Sequence, residues 1–171
     1  MDFFRVLWYN VLTIGGCNMI KLRSLYLESF SKEKHYGLVN RLNDDQAVYD
    51  YISKHFEDWV EEPESDSKYE VGKSYVIKDD DEILGMCGST RYENNGIIDL
   101  WCGIDKKSRG QGVGEKLLVQ ITDYFLENIS DLKNVKLVIK KNNVASNKVA
   151  INSGYSLTDQ YKDNNVYHYF K

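Results

Sequence analysis

The chain is poor in the features that mark secreted, membrane-spanning and nucleic-acid-binding proteins. Its three cysteines, Cys17, Cys87 and Cys102, are odd in number and lack metal or redox spacing, so no disulfide scaffold is expected and a reducing cytoplasm is the expected setting. Three histidines, His35, His55 and His168, fall on separate predicted elements without ligand spacing, and no metal is expected. No apolar run approaches the roughly 20 residues that cross a bilayer, so no membrane partner is expected. Basic residues are in deficit: 22 Lys and Arg against 26 Asp and Glu give a net charge of −4, which argues against nucleic-acid binding by phosphate neutralisation. Internal repeats and low-complexity runs are absent.

What remains suffices for one domain, large enough at 171 residues to bury about two-thirds of the surface its unfolded chain exposes. Residues 1–18 stand apart. The run from Phe3 to Ile14 is apolar, and Ile14-Gly-Gly-Cys17 bears a faint likeness to a lipoprotein cleavage site. Asp2 beside a single Arg5 gives no basic leader, however, and Asn10 interrupts the apolar stretch. Met19 is a second plausible start, so residues 1–18 are expected to be an extension outside the core and 19–171 a single domain.

Periodicity orders the rest. Ile20–Leu27 reads as a strand, and 31–42 and 44–61 as helices, the second with an apolar stripe of Val48, Ile52, Phe56 and Trp59 and closed by the sole proline, Pro63. A polar loop follows. Strands are predicted at 73–78, 83–92 and Ile97–Ile104, then a helix whose Val113, Leu117, Leu118, Ile121, Phe125 and Ile129 share a face while Glu115, Lys116, Gln120, Asp123 and Glu127 lie elsewhere. Val135, Leu137 and Ile139 mark a strand that the helical crossover makes parallel to Ile97–Ile104. A short helix over 143–153, capped by Gly154, and strands at 155–161 and 166–170 complete the order.

The stretch that organises this order is the Ile97–Ile104 strand, a short turn, and Arg109-Gly-Gln-Gly-Val-Gly114 opening the long helix. Glycines there permit positive φ and close approach of a ligand, and the amides of a helix's first turn form an anion site. The predicted ligand is a phosphate or diphosphate. A Walker A loop would need Lys-Ser/Thr after its last glycine, and a dinucleotide fingerprint a third glycine where Glu115 stands, so neither pattern fits.

Arg109-x-x-Gly112-x-Gly114 after a strand resembles the Arg/Gln-x-x-Gly-x-Gly/Ala signature of the Gcn5-related N-acetyltransferases. About thirty residues on, Asn143-Val-Ala-Ser146 followed by Gly154-Tyr155 resembles that family's Asn-x-x-Ser/Ala…Gly-Phe segment. The element order agrees over Met19 to Lys171. The resemblance implies an α/β (α+β) fold, with a mixed, mostly antiparallel sheet of about seven strands, about four flanking helices, and splayed parallel strands four and five. It implies acetyl-coenzyme A as co-substrate and direct attack by an amine on its thioester, without a covalent enzyme intermediate or a metal.

By the same resemblance, Cys102, Gly103 and Ile104 line the pantetheine, with Cys102 and Ile104 bonding it through their backbone. The loop of Arg109, Gly110, Gln111, Gly112, Val113, Gly114 and Glu115 holds the diphosphate, while Asn143 bonds the pantetheine arm and Ser146 lies near the phosphate end. Asp99 stands where members similar to the ribosomal-protein N-terminal branch carry a glutamate, and is a candidate base. The same residue also reads as a cleft-edge aspartate bonded to backbone or to a lysine. The family's usual proton-donating tyrosine position holds Ala150, which leaves solvent, Tyr155, Tyr167 or Tyr169, with Tyr155 the first candidate. Between Glu57 and Glu70 seven acids against Lys68 suit a cationic acceptor, a small amine or a peptide terminus, though a solvated loop in an acidic protein has the same composition. The alternatives are a non-catalytic acyl-coenzyme A sensor and, more remotely, a nucleotide-binding scaffold. A monomer or homodimer is expected.

Overall fold

The computed structural model describes residues 11–14, 17–43, 74–92 and 96–170. Among them nine strands form one sheet: β1 (Val11–Ile14), β2 (Cys17–Lys21), β3 (Tyr26–Ser29), β4 (Ser74–Asp79), β5 (Glu82–Tyr92), β6 (Ile97–Ile104), β7 (Asn134–Lys140), β8 (Ser156–Tyr161) and β9 (Asn164–Phe170). Their spatial order is β1-β2-β3-β4-β5-β6-β7-β9-β8, antiparallel throughout except for β6 and β7. Three helices accompany them, α1 (Lys32–Asn43), α2 (Val113–Asn128) and α3 (Val144–Asn152).

The central strands are apolar on both faces because helices cover both. On one face the α2 stripe, with Leu117, Ile121 and Phe125 fully buried, packs in a cluster with Leu27, Tyr75, Ile77, Cys87, Ile98 and Val135. Each such side chain contributes about 1.5–3 kcal/mol through burial. On the other face α1 sets Leu38 and Leu42 against Val76 and Met86, with Trp101 and Ile83 at the margin. Alternation along β4 and β5 sends neighbouring residues to opposite layers, Tyr75 and Cys87 towards α2, Val76 and Met86 towards α1. The result places β6 at the centre, braced from both sides.

Three expectations change. The strand expected over Ile20–Leu27 is a hairpin: β2 turns at Leu22–Leu25, where the Leu22 N–H bonds the Leu25 carbonyl, and returns as β3. The turn is held from a distance, for the Ser24 N–H donates to Gln120 Oε1 and Gln120 Nε2 donates to Ser24 Oγ. Gln120, which lies off the apolar stripe of the helix, is therefore buried. Within the stretch expected to lie outside the core, Val11–Ile14 pairs with β2 at the sheet edge, which with the split hairpin raises the strand number from about seven to nine. The helix expected at 44–61 and the acidic stretch after it lie outside the described residues.

Candidate active site

The site begins where β6 and β7 part. Ile97, Ile98 and Asp99 pair with Asn134, Val135 and Lys136, and the parallel ladder ends there. Leu100–Ile104 and Leu137–Lys140 make no pair with each other, although both strands run on. The phase of the β5–β6 ladder says what faces the resulting gap. Asp105 N–H bonds the Leu84 carbonyl, so Met86·Gly103 and Gly88·Trp101 are hydrogen-bonded pairs and Cys87·Cys102 is a non-hydrogen-bonded one. Counting from the other side agrees: Phe30 N–H bonds Ser74 O, which turns the main-chain groups of Tyr75 towards β5, so Cys87 opposite it bonds back to β4 and faces away from β6. The main-chain N–H and C=O of Cys102 and Ile104 are thus directed towards β7, into the gap.

Beyond Ile104 the chain makes a one-turn 3-10 segment, Lys106–Ser108, and enters the glycine turn. Arg109 Nε donates to the Ile104 carbonyl at 2.9 Å, fastening the turn to the end of β6. Gly110 and Gly112 have φ of +73° and +75°, values that side-chain-bearing residues rarely adopt, and a Cβ on either would meet nothing within 4 Å. The turn is therefore open. Gln111 folds back, its Nε2 donating to the Lys107 carbonyl at 3.0 Å, and Glu115 accepts from Asn152 Nδ2 at 2.8 Å, which draws that carboxylate towards α3. The first amides of α2 have no partner within the helix and present a positive end beside the gap.

Asn143 caps α3, its Oδ1 accepting from the Ser146 N–H at 3.1 Å. The neighbouring Asn147, which sequence reasoning passed over, is a junction. Its Nδ2 donates to the carbonyls of Lys140 and Asn143, and its Oδ1 accepts from Asn165 Nδ2 and the Tyr167 hydroxyl. It locks α3 onto the end of β7 and onto β9. Nothing local marks it, since two of its partners come from the last strand.

Asp99 lies at the apex of the gap on the α1 side of the sheet, four-fifths buried, with Oδ1 3.0 Å from Lys136 Nζ. The separation is that of a contact ion pair, although Oδ1 receives no well-directed hydrogen bond. Lys136 in turn faces His168 on β9, giving a polar row across three strands. His168 Nδ1 shares a hydrogen with Thr158 Oγ1 at 2.6 Å. Burial, with the Lys136 charge, depresses the His168 imidazole below its ordinary value, against the opposing pull of Asp99. The sequence named Asp99 and gave a lysine partner as its alternative reading, but it did not single out Lys136 or His168, which only strand register brings to it.

On the opposite face Cys102 is open to solvent while its cross-strand partner Cys87 is fully buried. The protein around Cys102 still crowds its sulfur enough to push the thiol up to about 11. Tyr155 is buried and shares a 2.5 Å hydrogen bond with Thr122 of α2, and burial pushes its phenol well above the ordinary range. Tyr167 is likewise engaged, by Asn147.

A gap between parallel strands, main-chain groups aimed into it, and an open glycine turn at a helix N-terminus are the arrangement expected of an acyl-coenzyme A transferase. The chain belongs to the acetyltransferase (GNAT) domain family, whose model matches residues 24–156. As a member of that family it is an acetyl-coenzyme A-dependent N-acetyltransferase. Solved structures share the fold. RimL, a ribosomal L7/L12 alpha-N-protein acetyltransferase in complex with coenzyme A, is 18% identical with a TM-score of 0.67, covering 90% of this chain and 98% of its own. A GNAT-family acetyltransferase from Bacillus anthracis is 11% identical (TM-score 0.66; 89% and 98% covered). The spermidine N-acetyltransferase from Vibrio cholerae in complex with coenzyme A and spermine is 13% identical (TM-score 0.64; 86% and 95%). A search of the curated proteins by sequence finds no match.

Proposed function

We propose that this transferase acetylates a cationic primary amine, either a small polyamine or a basic peptide terminus, with the residues of the β6–β7 gap in the following roles. The observation that carries the reading is the end of the parallel ladder at Asp99·Lys136, directly upstream of the open turn. The amides of Gln111, Gly112, Val113, Gly114 and Glu115 receive the diphosphate, with Gly110 giving the clearance and Arg109 tying the turn to β6. The main-chain groups of Cys102 and Ile104, with Gly103 between them, serve the pantetheine; Asn143 meets its arm and Ser146 its phosphate end.

Acetyl-coenzyme A supplies the activated acetyl group as a thioester. The Cys102 N–H is the donor offered to its carbonyl oxygen as negative charge develops. Asp99, steadied by Lys136, takes the proton of the acceptor ammonium, through one bridging water because aspartate is short. Tyr155, whose proton burial and Thr122 hold in place, supports the floor beneath Cys102, and solvent returns the proton to the departing thiolate.

The acidic stretch 57–70 and the acceptors named for two similar structures, spermidine and a protein α-amine, support the amine class. Free Cys87 and Cys102 agree with a cytoplasmic setting, where we place the chain as a monomer or homodimer. The test is release of free thiol from acetyl-coenzyme A over a panel of polyamines, aminoglycosides and basic-terminus peptides. Turnover is expected on at least one cationic amine; coenzyme A binding without turnover on any would indicate a binding module instead.

A further inference from the structure

Cys87 and Cys102 are direct partners on adjacent antiparallel strands. The ladder phase derived above makes them a non-hydrogen-bonded pair, the kind in which Cα atoms come to about 4.5 Å and side chains lie closest. That spacing falls inside the roughly 4.4–6.8 Å window a disulfide requires. Partners in such a register place their Cβ atoms about 4.5–5.5 Å apart, at the near end for this kind of pair, and a bond needs about 3.5–4.5 Å. A shift of roughly 0.7 Å in β6 brings the near-end separation to the mean for a disulfide, about 3.8 Å. Both side chains sit on the same face of the sheet, the α2 face. Their exposures differ in the way a two-step exchange requires, Cys102 open to solvent and Cys87 at 0%. Cys17 on β2 is three strands from β5, about 14 Å away, too far to compete.

We propose that Cys87 and Cys102 are a reversible thiol–disulfide site, charged by small-molecule disulfides entering the β6–β7 gap, and that the oxidised pair impairs acetyl transfer. In the first step the Cys102 thiolate attacks one sulfur of the small disulfide, forming a mixed disulfide and releasing one small thiolate. In the second the Cys87 thiolate attacks the Cys102 sulfur, forming the cross-strand bond and releasing the other. The two cysteines lose two electrons and two protons, and the small disulfide becomes two thiols. Burial of Cys87 and the protein crowding the sulfur of Cys102 hold both thiols up, so thiolate is scarce at neutral pH and the exchange runs over minutes to hours.

The functional consequence rests on the cofactor reading above. Cys102 is the residue whose main-chain groups face the gap, and clamping it towards β5 moves the wall against which the thioester is positioned. A displacement of that size in a positioning element costs about tenfold in kcat/KM.

The experiment exposes the folded full-length chain to glutathione disulfide, quenches with acid, alkylates the remaining thiols and maps peptides by mass spectrometry. The expected product links the Cys87 and Cys102 peptides. In Cys87→Ser the reaction should stop at a Cys102–glutathione adduct, and in Cys102→Ser, Cys87 should stay unmodified while melting shows the chain folded. Alkylation of both Cys87 and Cys102 in the treated wild type would overturn the proposal, as would glutathione on Cys87 of folded Cys102→Ser. Oxidised protein should lose about tenfold in thiol release from acetyl-coenzyme A and regain it with dithiothreitol; equal turnover would overturn the functional part. A linked pair in a chain that does not bind coenzyme A would sustain the disulfide and refute the cofactor assignment instead.

Discussion

Asp99 shows how much depends on one side chain and its register. On β6 it belongs to the Trp101 face, away from α2, and the last parallel pair sets it opposite Lys136. A largely buried carboxylate held by a lysine at the apex of a gap is oriented and still reachable from the gap, which suits proton abstraction. Asp99→Asn keeps the shape and removes the proton acceptor. It should lower kcat at neutral pH about 100-fold or more while leaving the coenzyme A dissociation constant within about twofold. Steady-state rates and calorimetry check this, and a wild-type rate profile would dismiss Asp99 as base. The strand alternation already put Asp99 on a usable face. Lys136 and His168 stayed hidden because they come from strands 37 and 69 positions further along (136 − 99 and 168 − 99), and no local pattern reports a cross-strand neighbour.

At the scale of elements, the joint between β3 and α1 carries a charge cluster that ties acid sensitivity to the fold. Glu28 is buried on β3, and Lys34 and Lys78 both donate to it. His35 is also buried; its Nδ1 accepts the Ser31 N–H, so in the neutral ring Nε2 carries the hydrogen, 3.6 Å from Glu28 Oε1. Burial alone would raise the Glu28 carboxyl, but the two lysines together hold it below its ordinary value. Burial lowers the His35 imidazole in spite of Glu28. Both folded-state values therefore lie below the unfolded ones, 4.5 and 6.5. Each group's contribution is complete above its unfolded value and is lost as pH falls below it, towards the folded one. The melting temperature should decline as pH drops below 6.5, first from His35 and then from Glu28. His35→Gln should flatten the upper part of that decline, and an unchanged slope in melting scans from pH 7 to 5 would remove His35 from the account.

For the molecule as a whole, the sheet is one body on its β1–β6 side and a second ladder of β7, β9 and β8 on the other, joined at the short β6–β7 contact and by helices across it. A ligand that bridges the two ladders adds to stability wherever it binds the folded form alone. Coenzyme A at 100 times its dissociation constant should contribute about 2.7 kcal/mol, a rise of roughly 5–10 °C in melting temperature for a chain of this length. Gly112→Val places a branched side chain at φ +75° on the face meant for the diphosphate, and should abolish that rise while the unliganded protein still melts cooperatively. A full coenzyme A shift in this variant would refute the turn as the diphosphate site.

The sequence by itself determined the elements that bury an apolar face of regular period and the turn whose chemistry is local. The strand over Ile97–Ile104 appears with the predicted bounds, α2 runs Val113–Asn128 along its predicted stripe, and Gly110 and Gly112 adopt the positive φ that glycine permits. Periodicity and backbone freedom are properties of neighbours in the chain, so a string of letters carries them. Tertiary structure alone decided the break at Leu22–Leu25, imposed by Gln120 about a hundred residues away, and the burial of Gln120 itself. It also decided where the β6–β7 ladder stops, and which side chains meet at its apex. Those outcomes depend on partners that only the folded sheet brings within hydrogen-bonding reach.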